Sequence, residues 1–101
     1  MWVLRTRVDD EARLTFRLRT GSIKTIGRAI RADFTVDVPL VSRLHCRLTA
    51  TDTGQLEVID LQSTNGTFVN DRKIRQAVLV AGDRLRVGRL ELLISHEEKP
   101  N

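Results

Sequence analysis

Three short stretches of this chain carry side chains able to do chemistry. Ile26-Gly27-Arg28 sets a guanidinium directly after a glycine. A glycine lets the backbone turn sharply at a strand end, and Arg presents five N–H donors in a planar fork that matches phosphate or carboxylate. Ser42-Arg43-Leu44-His45-Cys46 brings together a hydroxyl, a second guanidinium, an imidazole and a thiol. Asp60-Leu61-Gln62-Ser63-Thr64-Asn65-Gly66-Thr67-Phe68-Val69-Asn70 crowds hydroxyls and amides onto one stretch. There Gly66 permits a tight exit into the apolar residues that follow. The Asn65 amide both donates and accepts, which suits contact with a peptide main chain.

Nucleophilic catalysis by Ser42 or Cys46 with His45 is the sharper reading, and it fails on geometry. A nucleophile needs a base oriented by a third group and an oxyanion hole. His45 and Cys46 are neighbours, and neighbours in a strand point to opposite faces. Cys46 shares its face with Leu48 and Ala50, a core face on which a thiol is inert. His45 reads instead as a hydrogen-bonding strut that ties two loops together. Taken singly, Gly27-Arg28 also fits an ordinary hairpin with a surface Arg, and residues 60–70 fit a polar turn with Asx capping. The cations and small donors would also suit an anion such as phosphate or carboxylate, a chemistry that stands open beside those ordinary turns. It calls for no cofactor and no metal.

The elements that must position these residues have the period of strands. Leu14, Phe16 and Leu18 alternate with Arg13, Thr15, Arg17 and Arg19. Leu48 and Ala50, Leu85 and Val87, and Leu90, Leu92 and Ile94 alternate with polar residues in the same way. A period of two buries one face and wets the other. Turn formers recur at Asp9-Asp10, Thr20-Gly21-Ser22, Asp52-Thr53-Gly54, Asn70-Asp71, Ala81-Gly82-Asp83 and Gly88-Arg89. Gly88-Arg89 suits a two-residue hairpin with positive φ at its first position, and Asn70-Asp71 suits the other tight type. Many short strands with close turns predict a β-sandwich or barrel. Residues 37–46 and 60–67 resist the strand pattern and read as polar loops on a rigid scaffold, where binding chemistry usually sits. His96 to Asn101 is polar and reads as a fraying tail.

Bulk properties narrow the classes further. At 101 residues the chain closes one core and not two. With 41% hydrophobic and 30% charged residues it is ordinary globular composition, which argues against disorder. No apolar run approaches the roughly 20 residues of a membrane span. Charge follows Met1 too closely for a secretory signal. The single cysteine excludes an internal disulfide and a cysteine zinc site, and a reducing cytoplasm is the simplest setting. The net charge of +4, carried mostly by Arg, is compatible with phosphate-bearing partners. One Trp, no Tyr and three Phe leave little for base stacking, which disfavours nucleic acid.

In combination and in this order, Gly27-Arg28, Ser42-x-x-His45 and Asn65-Gly66 resemble the forkhead-associated (FHA) domain. Asp60-Leu61-x-Ser63-Thr64-Asn65-Gly66-Thr67-Phe68-Val69-Asn70 and Gly82-Asp83-x-Leu85-x-Val87-Gly88 extend the likeness, which runs from about Thr15 to Ile94. The resemblance implies an all-β sandwich of about eleven strands in two mostly antiparallel twisted sheets. It implies a domain over residues 1–96, with 97–101 a polar tail suited to a truncated linker within a longer natural chain. By carry-over, Arg28, Ser42, Arg43 and Thr64 contact a phosphate and Asn65 holds the peptide main chain. Gly27, His45 and Gly66 shape the loops. The implied partner is a phosphothreonine-containing protein or peptide in Ser/Thr kinase signalling, with no catalysis, no membrane and a cytoplasmic location. The alternative is an FHA scaffold that binds partners through its sheet faces, or assembles, without phosphate. The loop Val38-Pro39-Leu40-Val41 falls where the family reads the residue three after the phosphothreonine, and Leu40 there implies an apolar or weak preference.

Overall fold

A computed structural model describes residues 1–7 and 13–97. Eleven strands follow one another: β1 (Trp2–Thr6), β2 (Thr15–Leu18), β3 (Ile23–Gly27), β4 (Phe34–Thr35), β5 (Cys46–Ala50), β6 (Leu56–Asp60), β7 (Thr67–Val69), β8 (Arg72–Ile74), β9 (Gln76–Leu79), β10 (Arg84–Val87) and β11 (Leu90–His96). They form a six-stranded sheet, β2-β1-β11-β10-β7-β8, and a five-stranded sheet, β4-β3-β5-β6-β9. All pairs are antiparallel except β3 with β4. The sandwich and the strand number are those the sequence implied. The parallel β3–β4 ribbon is not announced by any local pattern.

The alternation read from the sequence is the alternation that packs. Phe16 and Leu18, Leu48 and Ala50, Leu85 and Val87, and Leu90, Leu92 and Ile94 all lie in one core between the sheets, joined by Leu4, Ile26, Leu56, Val58 and Leu79. Burying a side chain of this size contributes roughly 1.5–3 kcal/mol, so the core supplies the rigidity of the scaffold. Both tight hairpins have the expected backbone. Gly88 has φ +57°, while Asn70 and Asp71 have φ +51° and +69°, the signature of the turn that needs two left-handed residues.

The end of the chain departs from expectation. His96 is the last residue of β11, and its ring meets Trp2 edge-on at 4.7 Å. Glu97 is held to β1 by main-chain bonds with Met1 and by the Arg5 guanidinium at 2.7 Å. Pairing of β1 with β11 therefore extends order into residues that composition alone marks as a fraying tail. The Asp9-Asp10 turn and residues 98–101 lie outside the described residues. Among the described residues no helix is long and apolar enough to cross a membrane.

The strand ends divide the connections into two groups. Residues 28–33, 36–45 and 61–66 and the Gly88-Arg89 turn meet at one end of the sandwich. The turns at Gly21, Gly54 and Gly82 lie at the other.

Candidate functional site

At the loop end, β3 and β5 bring two of the nominated clusters into contact. The Gly27 position is closed to any side chain: a Cβ there would lie 1.9 Å from the Arg43 carbonyl oxygen and 2.9 Å from the Leu44 Cα. Its φ is not left-handed. Gly27 thus serves close backbone approach, not the sharp turn that its sequence context suggested. The approach is zipped by Arg28 N–H to the Ser42 carbonyl at 2.9 Å and Ala29 N–H to the Arg43 carbonyl at 3.0 Å. Asp33 steadies the intervening loop by accepting from the Thr25 N–H at 2.8 Å and the Thr25 hydroxyl at 3.1 Å. The main-chain bond is the chief reason that its carboxyl sits below the ordinary carboxylate value.

His45 joins this pair of loops to the third. It is fully buried. Its Nδ1 accepts from the Ser42 N–H at 3.0 Å and its Nε2 bonds the Gly66 carbonyl at 2.8 Å. An N–H only donates and a carbonyl only accepts, so the ring is the neutral Nε2–H tautomer. Neither ring nitrogen is left for the Ser42 hydroxyl. The Leu61 N–H to His45 carbonyl bond at 2.9 Å continues the β5–β6 ladder into the loop.

Asp60 organises the loop from inside. Its carboxylate accepts from the Ser63 hydroxyl at 2.5 Å, the Ser63 N–H at 3.2 Å and the buried Thr67 hydroxyl at 2.7 Å. The Ser63 hydroxyl oxygen in turn accepts from the Gly66 N–H at 3.0 Å. Burial alone would raise the Asp60 pKa. The bonds from Ser63 and Thr67 outweigh it and hold the carboxyl below its ordinary value. Cys46 is fully buried behind this loop. Burial pushes its thiol up, with a further push from the Asp60 charge, so it is not a nucleophile.

What these supports present is an open cleft of about 530 Å³, lined by Arg28, Leu40, Val41, Ser42, Arg43, Leu44, Gln62, Thr64 and Asn65. The nominated contact residues Arg28, Ser42, Arg43, Thr64 and Asn65 share this one cleft, and Gly27, His45 and Gly66 lie under or beside its walls. The Ser42 oxygen accepts from the Thr64 N–H at 3.0 Å, which leaves the Ser42 hydroxyl proton free to be donated. The Arg28 and Arg43 side chains are exposed and make no ion pair among the described residues. Asn65 Nδ2 donates to the Leu40 carbonyl at 3.0 Å, so part of its amide is engaged within the protein.

Sequence reasoning missed Gln62, Val41 and Leu44 as lining residues, and the structural role of Gly88. Gln62 and Leu40 take left-handed φ values of +56° and +73°. Neither residue type signals that conformation. Gly88 was legible as a hairpin glycine only. A Cβ there would lie 2.9 Å from the Pro39 carbonyl and 3.0 Å from the Leu40 carbonyl carbon, so the β10–β11 turn braces the cleft loop.

Comparisons agree with this geometry. The sequence model of the FHA domain matches residues 24–88. The chain is 39% identical over 83 residues to the ABC transporter ATP-binding/permease protein Rv1747 of Mycobacterium tuberculosis, covering 82% of this chain and 9% of that protein. It is 37% identical over 89 residues to the FHA domain-containing protein FhaA of the same organism, covering 87% of this chain and 16% of that protein. It therefore spans a small part of those relatives. A solved FHA domain from a study of phosphothreonine-dependent FHA domain interactions superposes with a TM-score of 0.85 at 33% identity, covering 97% of this chain and 98% of that one. Fold, cleft and sequence thus converge, and the chain belongs to the FHA-domain family, whose members are binding modules.

Proposed function

We propose that the cleft binds phosphothreonine in a protein partner and that the domain is a non-catalytic reader of Ser/Thr kinase signalling in the cytoplasm. The observation that carries this reading is that two guanidiniums without an ion pair among the described residues, Arg28 and Arg43, line the same cleft as a Ser42 hydroxyl whose oxygen already accepts from Thr64. A phosphothreonine brings about −1.5 to −2 charges and three acceptor oxygens. Arg28 and Arg43 supply charge-assisted bonds, the Ser42 proton and the Thr64 hydroxyl serve the remaining oxygens, and Asn65 at the rim meets the peptide main chain. The phosphothreonine-dependent interactions of the FHA domain at 33% identity support the same ligand.

Leu40 lines the cleft and is 46% exposed. It favours an apolar or weak preference at the ligand position three after the phosphothreonine. An oriented phosphopeptide library that selects Asp or Glu there contradicts this part.

The test is calorimetric titration of the protein with a degenerate phosphothreonine peptide pool, its unphosphorylated twin and the phosphoserine version. Only the phosphothreonine pool binds if the reading is right, and Ser42→Ala weakens it. Equal binding of the unphosphorylated pool transfers the function to the sheet faces.

A further inference from the structure

A row of cations on the outer face of the six-stranded sheet begins at the cleft. In β10, Leu85 and Val87 point into the core, which turns Arg84 and Arg86 outward. Register places Arg86 beside Phe68 and Phe68 beside Lys73. The Arg86 guanidinium carbon lies 4.1 Å from the centre of the Phe68 ring, a cation–π contact that holds the charge flat on the sheet. At the other end the Lys73 stem lies against Gly66: a Cβ on Gly66 would be 3.0 Å from the Lys73 Cε and 3.3 Å from a Phe68 ring carbon. The row therefore starts at the residue directly after Asn65.

Two of the cations nearby are paired. Arg84 pairs with Asp71 at 3.2 Å and Arg5 with Glu97 at 2.7 Å. Lys73 and Arg86 make no ion pair among the described residues, and Glu91, opposite Arg86 in register, is not within ion-pair distance of it. The other sheet offers no equivalent. Its outer rows, Ile23-Thr49-Glu57-Val78 and Thr25-Arg47-Ile59-Gln76, carry one charge of each sign. Lys73 and Arg86 are thus two unpaired cations on one sheet face that begin at the rim of the cleft, with Glu91 the next residue in register.

We propose that the Lys73-Phe68-Arg86 row holds an acidic stretch of the same polypeptide that carries the phosphothreonine. This rests on the cleft's reading as a phosphothreonine site and names the chemistry of its partner beyond the phosphate. From Lys73 to Arg86 is two strand spacings, about 10 Å, which about three residues of extended chain cover. An acidic chain leaving Asn65 past Gly66 reaches both cations, and its carboxylates are complementary to them.

The probe is the degenerate phosphothreonine pool carrying six Glu on its N-terminal or its C-terminal side, compared with pools carrying six Ser. On the natural protein one of the Glu-tailed pools binds about three- to tenfold tighter than its Ser twin at low salt, the scale of two exposed charge contacts. The gain disappears in the Lys73→Glu/Arg86→Glu protein, while that protein keeps its affinity for the Ser-tailed pools. Lys73→Ala/Arg86→Ala gives an intermediate loss and guards against a fold defect from the double reversal. No gain from either Glu tail on the natural protein overturns the inference. So does a gain that survives the charge reversal, which would come from net charge alone. If the Ser-tailed phosphothreonine pools do not bind the natural protein either, the cleft reading itself falls and takes this inference with it. Binding of the Ser-tailed pools without a Glu effect leaves the cleft reading standing and removes this one.

Discussion

The two ends of the sandwich are built from the same short connections and the same residue types, and they tolerate change very differently. At the plain end, a Cβ on Gly54 or Gly82 would meet nothing within 4 Å. Those glycines are there for φ values of +86° and +95° alone. At the cleft end, Gly27 and Gly88 press against main-chain atoms of the loop that carries Leu40, Ser42 and Arg43. The polar side chains there are bonded into neighbouring loops through His45, Ser42 and Asn65, and Asp60 holds its own loop from inside. The plain end has cross-turn bonds of its own, Asn70 Nδ2 to Asp83 at 2.9 Å and Arg84 to Asp71 at 3.2 Å, but its Gly54 and Gly82 positions stand in open space. The cleft end uses loop-to-loop bonds to hold together the loops that carry Arg28, Ser42, Arg43, Thr64 and Asn65. Preorganising the donors in this way lowers the ordering cost of binding.

The widest separation between the two ends comes from one methyl group. Gly27→Ala forces the β3–β5 approach apart and costs about 3 kcal/mol or more, an overpacking penalty against backbone that cannot yield. Gly54→Ala costs about 1 kcal/mol, the strain of a left-handed φ in open space. Thermal unfolding of both proteins measures the difference. Similar melting temperatures would mean that the cleft end is no more tightly assembled than the plain one.

Arg28→Ala separates function from stability at the same end. The guanidinium is exposed and unpaired, so its loss leaves unfolding within about 0.5 kcal/mol of the natural protein. Its bonds to a bound phosphate are charge-assisted and worth about 1.5–3 kcal/mol, so calorimetric affinity for the phosphothreonine pool falls about 10- to 100-fold.

How much of this was legible in the sequence follows from the range of each interaction. Strand faces were legible because Phe16 and Leu18, or Leu85 and Val87, alternate locally. The Asn70-Asp71 and Gly88 turns were legible because a left-handed φ restricts residue type at that very position. The cleft residues were legible only as a combined pattern, since each cluster alone fits an ordinary turn. The tertiary contacts left no local mark. Nothing in Ile26-Gly27-Arg28 shows that Gly27 faces the Arg43 carbonyl, and nothing in Asn65 shows that its amide reaches Leu40. His96 and Glu97 were misread for the same reason, because their partners Trp2, Met1 and Arg5 lie at the other end of the chain.

Asp60 sharpens the comparison from inside the loop. Every bond its carboxylate makes is accepted, so Asp60→Asn turns one acceptor into a donor facing hydroxyl or N–H groups. The expected cost is about 1–3 kcal/mol in denaturant unfolding. The folded-state pKa lies below the unfolded value of about 4, so this carboxylate's stabilisation is present in full above that pH. It is lost as the pH falls through the folded value. Acid unfolding of Asp60→Asn is accordingly shallower than that of the natural protein. Identical acid profiles would show that the Asp60 bonds do not hold the loop.

The smallest expected effect is on the ligand side. The second phosphate ionisation lies at about pH 6, so affinity for the phosphothreonine pool weakens a few-fold between pH 7.5 and 5.5 as the dianion is protonated. The plain end contributes nothing to this change. A flat pH profile would mean that the cleft does not read the second phosphate charge.

The most direct test of the central claim is a titration of the isotope-labelled protein with the phosphothreonine pool, followed by amide resonances in two-dimensional NMR. The amides of Arg28, Ser42, Thr64 and Asn65 shift in a saturable way, and those of Gly21, Gly54 and Gly82 stay where they are. Saturable shifts centred on the plain end or on the outer sheet faces, with the cleft amides unmoved, would contradict the claim that the loop end is a phosphothreonine site.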